Sequence, residues 1–67
     1  MNFFNQIENK IIDILNDQNI DRISMANIIG ILRQENLNEN SFLNFIEGKS
    51  SLTIEDCTDQ IWRMRGY

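Results

Sequence analysis

The chain has 67 residues, six of them basic and ten acidic, so its net charge is −4. This length holds a single domain, which we expect over residues 1–67, and the 42% hydrophobic share is too high for a disordered segment. The negative charge disfavours nucleic acid as a ligand, because phosphates select clustered Lys and Arg. Since the chain lacks His, it also lacks the commonest general base and zinc ligand.

A single cysteine, Cys57, rules out an internal disulfide and favours a reducing, cytoplasmic location. The stretch from Met1 to Lys10 mixes Asn, Gln and Glu with apolar side chains, a pattern unlike a secretory signal peptide. No apolar run approaches the roughly eighteen residues that span a membrane. We therefore expect a cytoplasmic domain without membrane insertion.

Apolar side chains at intervals of three and four residues predict four helices. The first runs from about Asn2 to Leu15 and stops at the polar run 16–19, whose short side chains compete for backbone hydrogen bonds. The second begins at Ser24 and carries its apolar face up to Leu32. The polar stretch that follows is predicted to be a linker.

The third and fourth helices lie in the second half of the chain. The third starts near Asn38 or Asn40, and Gly48 is placed to close it in a left-handed cap. After a short loop, the fourth runs from about Thr53 to Met64. The fold class is therefore predicted to be all-α.

A weak internal repeat relates residues 23–28 to residues 52–57. In each copy an apolar residue precedes a hydroxyl side chain, and a second apolar residue stands at the end of the segment. Ser24 and Thr53 are suited to the N-cap position of a helix, and the flanking apolar residues are suited to a hydrophobic staple. Each half of the chain is thus predicted to form a helix–loop–helix unit.

These two units, residues 1–37 and 38–67, resemble the paired EF-hands of one calmodulin-like lobe. With Ile23 as the aliphatic eighth position of the first loop, that loop spans residues 16–27, and apolar residues stand on both sides of it as in the family. The resemblance implies a short antiparallel β contact between the two loops near Ile23 and Leu52.

The metal-binding chemistry of the family is missing. Calcium needs about six to eight oxygen ligands and a Gly at the sixth loop position, which Asp21 occupies here. The side-chain ligand positions of the first loop hold Asn16, Gln18, Ile20, Ser24 and Asn27. An alternative alignment that begins at Asp17 places Ile28 where the bidentate glutamate belongs, and the second loop is no better. We expect neither metal nor cofactor.

Degenerate EF-hands that bind the basic IQ helix of a heavy chain are typical of myosin light chains. The resemblance therefore implies a single-lobe, calcium-independent light chain of an unconventional myosin, monomeric when free and associated with the cytoskeleton. The net charge of −4 suits a basic IQ helix. The implied apolar groove, with Trp62 at its rim, consists of Ile11, Ile14, Leu15, Ile28, Ile31, Leu32, Phe42, Phe45, Ile46, Ile61, Trp62 and Met64.

Other classes of protein fit the sequence less well, with one exception. An enzyme is disfavoured because Ser50 and Ser51 have no His to activate them. A helix–turn–helix DNA reader is disfavoured because Glu55 and Asp56 on its recognition helix would repel phosphates. The remaining alternative is a small helical adaptor or inhibitor of an unrelated family, which would share the groove but lack the β contact.

Overall fold

The computed structural model describes residues 3–66 and contains four α-helices. No β-strand occurs in this part of the chain, so the prediction of an all-α fold with four helices is confirmed. None of the helices within it is both long and apolar enough to cross a membrane. The elements are α1 (Gln6–Asp17), α2 (Arg22–Gln34), α3 (Glu39–Ile46) and α4 (Ile54–Met64).

Polar side chains set the starts of α1 and α4 through reciprocal capping boxes. At α1, the Asn5 side chain accepts a hydrogen bond of 2.7 Å from the Glu8 N–H, and the Glu8 carboxylate accepts one of 3.1 Å from the Asn5 N–H. Helix α1 begins at Gln6, so the predicted start near Asn2, which itself lies outside the described residues, is too early; residues 3–5 precede the helix. At α4, Thr53 and Asp56 exchange the equivalent pair of bonds, so the predicted N-cap Thr53 is confirmed.

The start of α2 corrects the predicted first loop. Asp21 is the N-cap, and its carboxylate accepts bonds from the Ser24 N–H (3.1 Å) and the Ser24 hydroxyl (2.7 Å). Ser24, predicted as the N-cap, therefore stands in the first turn. Because Asp21 is the cap, α2 begins at Arg22, earlier than predicted, and the connection between α1 and α2 consists only of residues 18–21. Both ends of the predicted loop 16–27 are therefore helical.

The β contact expected near Ile23 and Leu52 is not formed within residues 3–66. Ile23 lies in the first turn of α2 with 75% of its surface exposed, whereas Ile20 is the buried apolar residue that precedes this helix. The Gln18 side chain joins the two loops instead. Its Nε2 donates a hydrogen bond of 2.8 Å to the Lys49 carbonyl, and its Oε1 accepts one of 3.1 Å from the Leu52 N–H.

The C-terminal ends of α1 and α2 share one geometry, the Schellman motif. Asn19 (φ 63°) adopts the left-handed conformation, and the Ile20 N–H donates a bond of 3.0 Å back to the Leu15 carbonyl. Asn36 (φ 54°) and Leu37 repeat this arrangement, with a bond of 2.9 Å to the carbonyl five residues back. The left-handed Gly48 predicted after α3 is also confirmed, at φ 79°.

An internal repeat different from the predicted one underlies this shared geometry. Residues 11–25 (IIDILNDQNIDRISM) align without a gap on residues 28–42 (IIGILRQENLNENSF). Each copy contains the last turns of a helix, a left-handed Asn, a buried or half-buried apolar residue, a polar N-cap and a Ser at the third helical position. The repeated unit is a helix–turn–helix corner and not a calcium-type loop.

The four helices enclose one apolar core. Helix α1 packs against α2 and α3, and α4 packs against the same two helices. Before α2 and α4, the apolar residue that precedes the N-cap is buried and takes the position of a hydrophobic staple. The core consists of Ile11, Leu15, Ile20, Met25, Ile28, Ile29, Leu32, Phe42, Leu43, Ile46, Leu52, Cys57 and Ile61.

Candidate functional site

The residues of the predicted groove divide into core and surface. Seven are buried and do not face solvent in this conformation, namely Ile11, Leu15, Ile28, Leu32, Phe42, Ile46 and Ile61. Four more are half-buried around the core, namely Ile14, Ile31, Phe45 and Met64. Trp62 is 52% exposed. Within residues 3–66, most of the predicted groove residues therefore belong to the core, and only part of the set is accessible to solvent.

A narrower groove lies between α2 and α4 and encloses about 230 Å³. None of the side chains that line it is charged. Two residues assigned to the degenerate loop, Ser24 and Asn27, line this groove from the first half of α2. The lining consists of Ser24, Asn27, Ile28 and Ile31 from α2 with Ile54, Thr58 and Ile61 from α4.

Helices α2 and α4 run side by side in the same direction. The groove follows α2 from Ser24 to Ile31 and α4 from Ile54 onward. Just beyond the last residue of each helix, Arg65 Nε lies 2.7 Å from Glu35 Oε1. This ion pair joins the C-terminal ends of the two helices, about one turn beyond the groove, so their N-terminal ends lie towards its other end.

The solvent-facing side of α2 extends the apolar character of the groove. The helix carries no charged residue from Ile23 to Leu32. Ile23 and Gly30, two turns apart on one face, are exposed, and a methyl group placed at Gly30 would meet no atom within 4 Å. On α4, Ile54 is 43% exposed. We call the groove lining together with Ile23, Gly30 and Trp62 the α2–α4 surface.

A second apolar pocket, of about 270 Å³, lies on the other flank of α2. Phe4 and Ile12 line it from the α1 side, and Met25 and Ile29 line it from α2, with Arg22 at its edge. Sequence reasoning missed this pocket, because residues of α1 were expected to face either the core or a central groove.

A cluster of charged and polar side chains joins α1, α2 and α3. Glu8, 2% exposed, forms a two-pronged ion pair with Arg33, whose Nη2 and Nε lie 2.6 and 2.7 Å from the two carboxylate oxygens. The Arg33 guanidinium lowers the pKa of Glu8 to about 2, whereas burial and then the neighbouring Glu8 raise the pKa of Glu39. Arg33 also donates a bond of 2.7 Å to the Phe3 carbonyl. Because these groups bond one another across α1, α2 and α3, the cluster is structural.

No catalytic arrangement is evident in the part of the chain that the structure describes. Cys57 is fully buried, and burial raises the pKa of its thiol to about 11, so it is a poor nucleophile. Within residues 3–66, no group of three acidic or cysteine side chains is arranged to hold a metal ion.

No protein-family model, curated protein sequence or solved structure matches this chain. The fold and the site define a small, four-helix, all-α domain with an uncharged surface along two parallel helices.

Proposed function

We propose that this chain is a protein-binding module that receives an amphipathic helix of a partner on the α2–α4 surface. The uncharged groove, bordered by the exposed side chains of Ile23 and Ile54, carries the proposal. Burying apolar surface contributes about 25 cal/mol per Å², so covering these side chains stabilises a complex. Contiguous exposed apolar surface is typical of docking sites.

The dimensions of the groove favour a helix over a small molecule. Its volume of about 230 Å³ is below the roughly 300 Å³ at which small-molecule pockets begin. Its α2 wall runs from Ser24 to Ile31, which is about 10 Å at the helical rise of about 1.5 Å per residue. Anchor residues at i, i+3 or i+4 and i+7 of a bound helix span the same length.

The charge of the module favours a basic partner. A net charge of −4 attracts a cationic helix and raises its rate of association, while the uncharged groove makes the close contact. An acidic partner would be repelled before docking.

The specific form of this proposal is a calcium-independent light chain that binds an IQ-type helix of an unconventional myosin heavy chain in the cytoplasm, associated with the cytoskeleton. Two consecutive helix pairs, the negative charge and the uncharged groove support it. The second candidate is an adaptor or inhibitor of an unrelated family that uses the same surface. The connection 18–21, much shorter than a twelve-residue EF-hand loop, favours this second candidate.

The test is a titration of the ¹⁵N-labelled chain with a synthetic IQ-type peptide under a calcium chelator. The proposal predicts saturable chemical-shift changes at Ile23, Asn27, Gly30 and Ile54, and none beyond background at Asn44 on α3. An unperturbed spectrum at millimolar peptide would exclude the light-chain form. Changes centred on α3 would contradict the choice of surface.

A further inference from the structure

Gly30 lies in the interior of α2, at a position where the fold does not require a glycine. It is more than one turn away from either end of the helix, so it serves as no cap. Its φ is not positive, so the backbone conformation is open to any helix-forming residue. A methyl group placed there would meet no atom within 4 Å among the described residues, so no neighbouring element needs the space.

The internal repeat shows that the helix corner forms with an ordinary side chain at this position. In the alignment of residues 11–25 on residues 28–42, the counterpart of Gly30 is Asp13, an exposed residue of α1. Glycine in a helix interior is less favourable than alanine, because it loses more backbone freedom when the chain folds. The isolated fold would therefore be more stable with a side chain at residue 30.

The surroundings of Gly30 have the form of a hole for a partner side chain. Ile23, Ala26, Asn27 and Gly30 stand at i, i+3, i+4 and i+7, the four positions that surround an inserted side chain in packed helices. All four residues are exposed and uncharged. Asn27 also lines the groove on one flank of α2, and Ala26 lines the pocket on the other. The hole thus lies on the outer side of the helix, and Gly30 leaves one end of it open.

We infer that the partner helix crosses the outer side of α2 at Gly30 and places one bulky apolar side chain in this hole. The inference rests on the proposed function and adds to it the point of closest approach. Axes of packed helices lie about 8–10 Å apart, at a distance set by the side chains at the contact, and a glycine permits the closer approach. A side chain at residue 30 would fill the hole and hold the partner away from Ile23. Gly30 is therefore a determinant of binding and not of folding.

The experiment measures stability and affinity in the same set of variants. A synthetic peptide with leucines along one helical face and lysines along the other is titrated by calorimetry into the wild-type chain, Gly30→Ala and Gly30→Leu. Thermal unfolding is followed for each protein without peptide. Both variants should unfold a few degrees higher than wild type, because alanine and leucine are better helix formers than glycine. Affinity should fall several-fold in Gly30→Ala and by about tenfold in Gly30→Leu, because the added atoms overpack the contact.

The matched control is Asn44→Leu, which adds the same side chain at an exposed position of α3 and should leave the affinity unchanged. Equal or tighter binding by Gly30→Leu would mean that the partner passes beside residue 30, and an equal loss in Asn44→Leu would mean that the effect is not local. A lower unfolding temperature of Gly30→Ala would mean that the fold itself needs the glycine. Each of these results overturns the inference and leaves the proposed function standing, whereas failure of the wild-type chain to bind the peptide overturns both.

Discussion

The side-chain oxygen Oε1 of Gln18 accepts a hydrogen bond of 3.1 Å from the backbone N–H of Leu52. Through this bond and the one to the Lys49 carbonyl, a single amide ties the α1–α2 connection to the loop between α3 and α4. The two loops are thus held together by a side chain and not by a β ladder. Because Leu52 is buried, its N–H has little access to water as a substitute partner.

Replacing Gln18 by alanine should therefore lower the free energy of unfolding by about 1–3 kcal/mol, the cost of leaving a part-buried donor without its acceptor. Gln34→Ala, at an exposed position in the last turn of α2, is the control and should change stability by no more than about 0.5 kcal/mol. Urea denaturation of the three proteins measures both values. Equal stabilities of wild type and Gln18→Ala would mean that the two loops hold together without the amide.

The position of the first loop is tested by two isoleucines three residues apart. Ile20 is 7% exposed and Ile23 is 75% exposed. Ile20→Ala should cost about 2–5 kcal/mol because it leaves a cavity in the core, whereas Ile23→Ala should be neutral within about 0.5 kcal/mol. Thermal or urea unfolding distinguishes them. A larger loss at Ile23 would restore the loop alignment predicted from the sequence.

The left-handed conformation of Asn36 gives a test of the helix corner between α2 and α3. Asn36→Ala should destabilise the fold by about 1 kcal/mol, since a Cβ without a polar tip is strained at φ 54°. Asn36→Gly should be neutral or stabilising at the same position, because glycine adopts this conformation without strain. Should alanine and glycine give the same unfolding midpoint, the corner would not have the left-handed geometry.

The Glu8–Glu39 pair predicts opposite effects of acid on stability. The pKa of Glu39 is raised by burial and by Glu8, so the folded state takes up this proton more readily than the unfolded state, and stability rises as pH falls through that pKa. The pKa of Glu8 is lowered from 4.5 to about 2, so its contribution is present above pH 4.5 and is lost as pH falls towards 2.

The free energy of unfolding should therefore rise on acidification from pH 7, pass a maximum above pH 4.5 and then fall. Glu39→Gln should abolish the rise and keep the fall, while Glu47→Gln, in an exposed turn, should keep both. Urea titrations at a series of pH values provide the measurement. If the free energy of unfolding of the Glu39→Gln variant still rises on acidification, another carboxyl group is responsible for the rise.

The helices could be predicted from the sequence because apolar spacing and capping residues are local signals. Thr53, Gly48 and the end of α4 at Met64 were correctly placed for this reason. The start of α2 was missed because Asp21 and Ser24 both fit an N-cap, and only the structure shows that the aspartate caps the helix while the serine hydroxyl bonds to it. This local error shifted the buried residue from Ile20 to Ile23 and produced the expected β contact.

The site was harder to predict than the helices. Apolar spacing identifies which residues of α2 and α4 become buried when the chain folds, but it does not show which neighbouring helix covers those residues. Ile28 and Ile61 were predicted to line a groove; they are buried in the core and also line the α2–α4 groove. Ile23 was predicted to lie in a loop, but it is an exposed residue of α2. The alignment of residues 11–25 on residues 28–42 was available in the sequence and would have placed Ile20 and Leu37 correctly.

The central claim is that the α2–α4 surface binds a basic amphipathic helix. Its most direct test is the dissociation constant of such a peptide for wild type, Ile23→Asp and Asn44→Asp, measured by calorimetry under chelator. Both variants add one negative charge at an exposed helical position, so long-range attraction changes equally in both. The account predicts affinity about tenfold weaker for Ile23→Asp, because a carboxylate would be buried against the partner, and unchanged or slightly tighter binding for Asn44→Asp. Equal affinity of the two variants would contradict it.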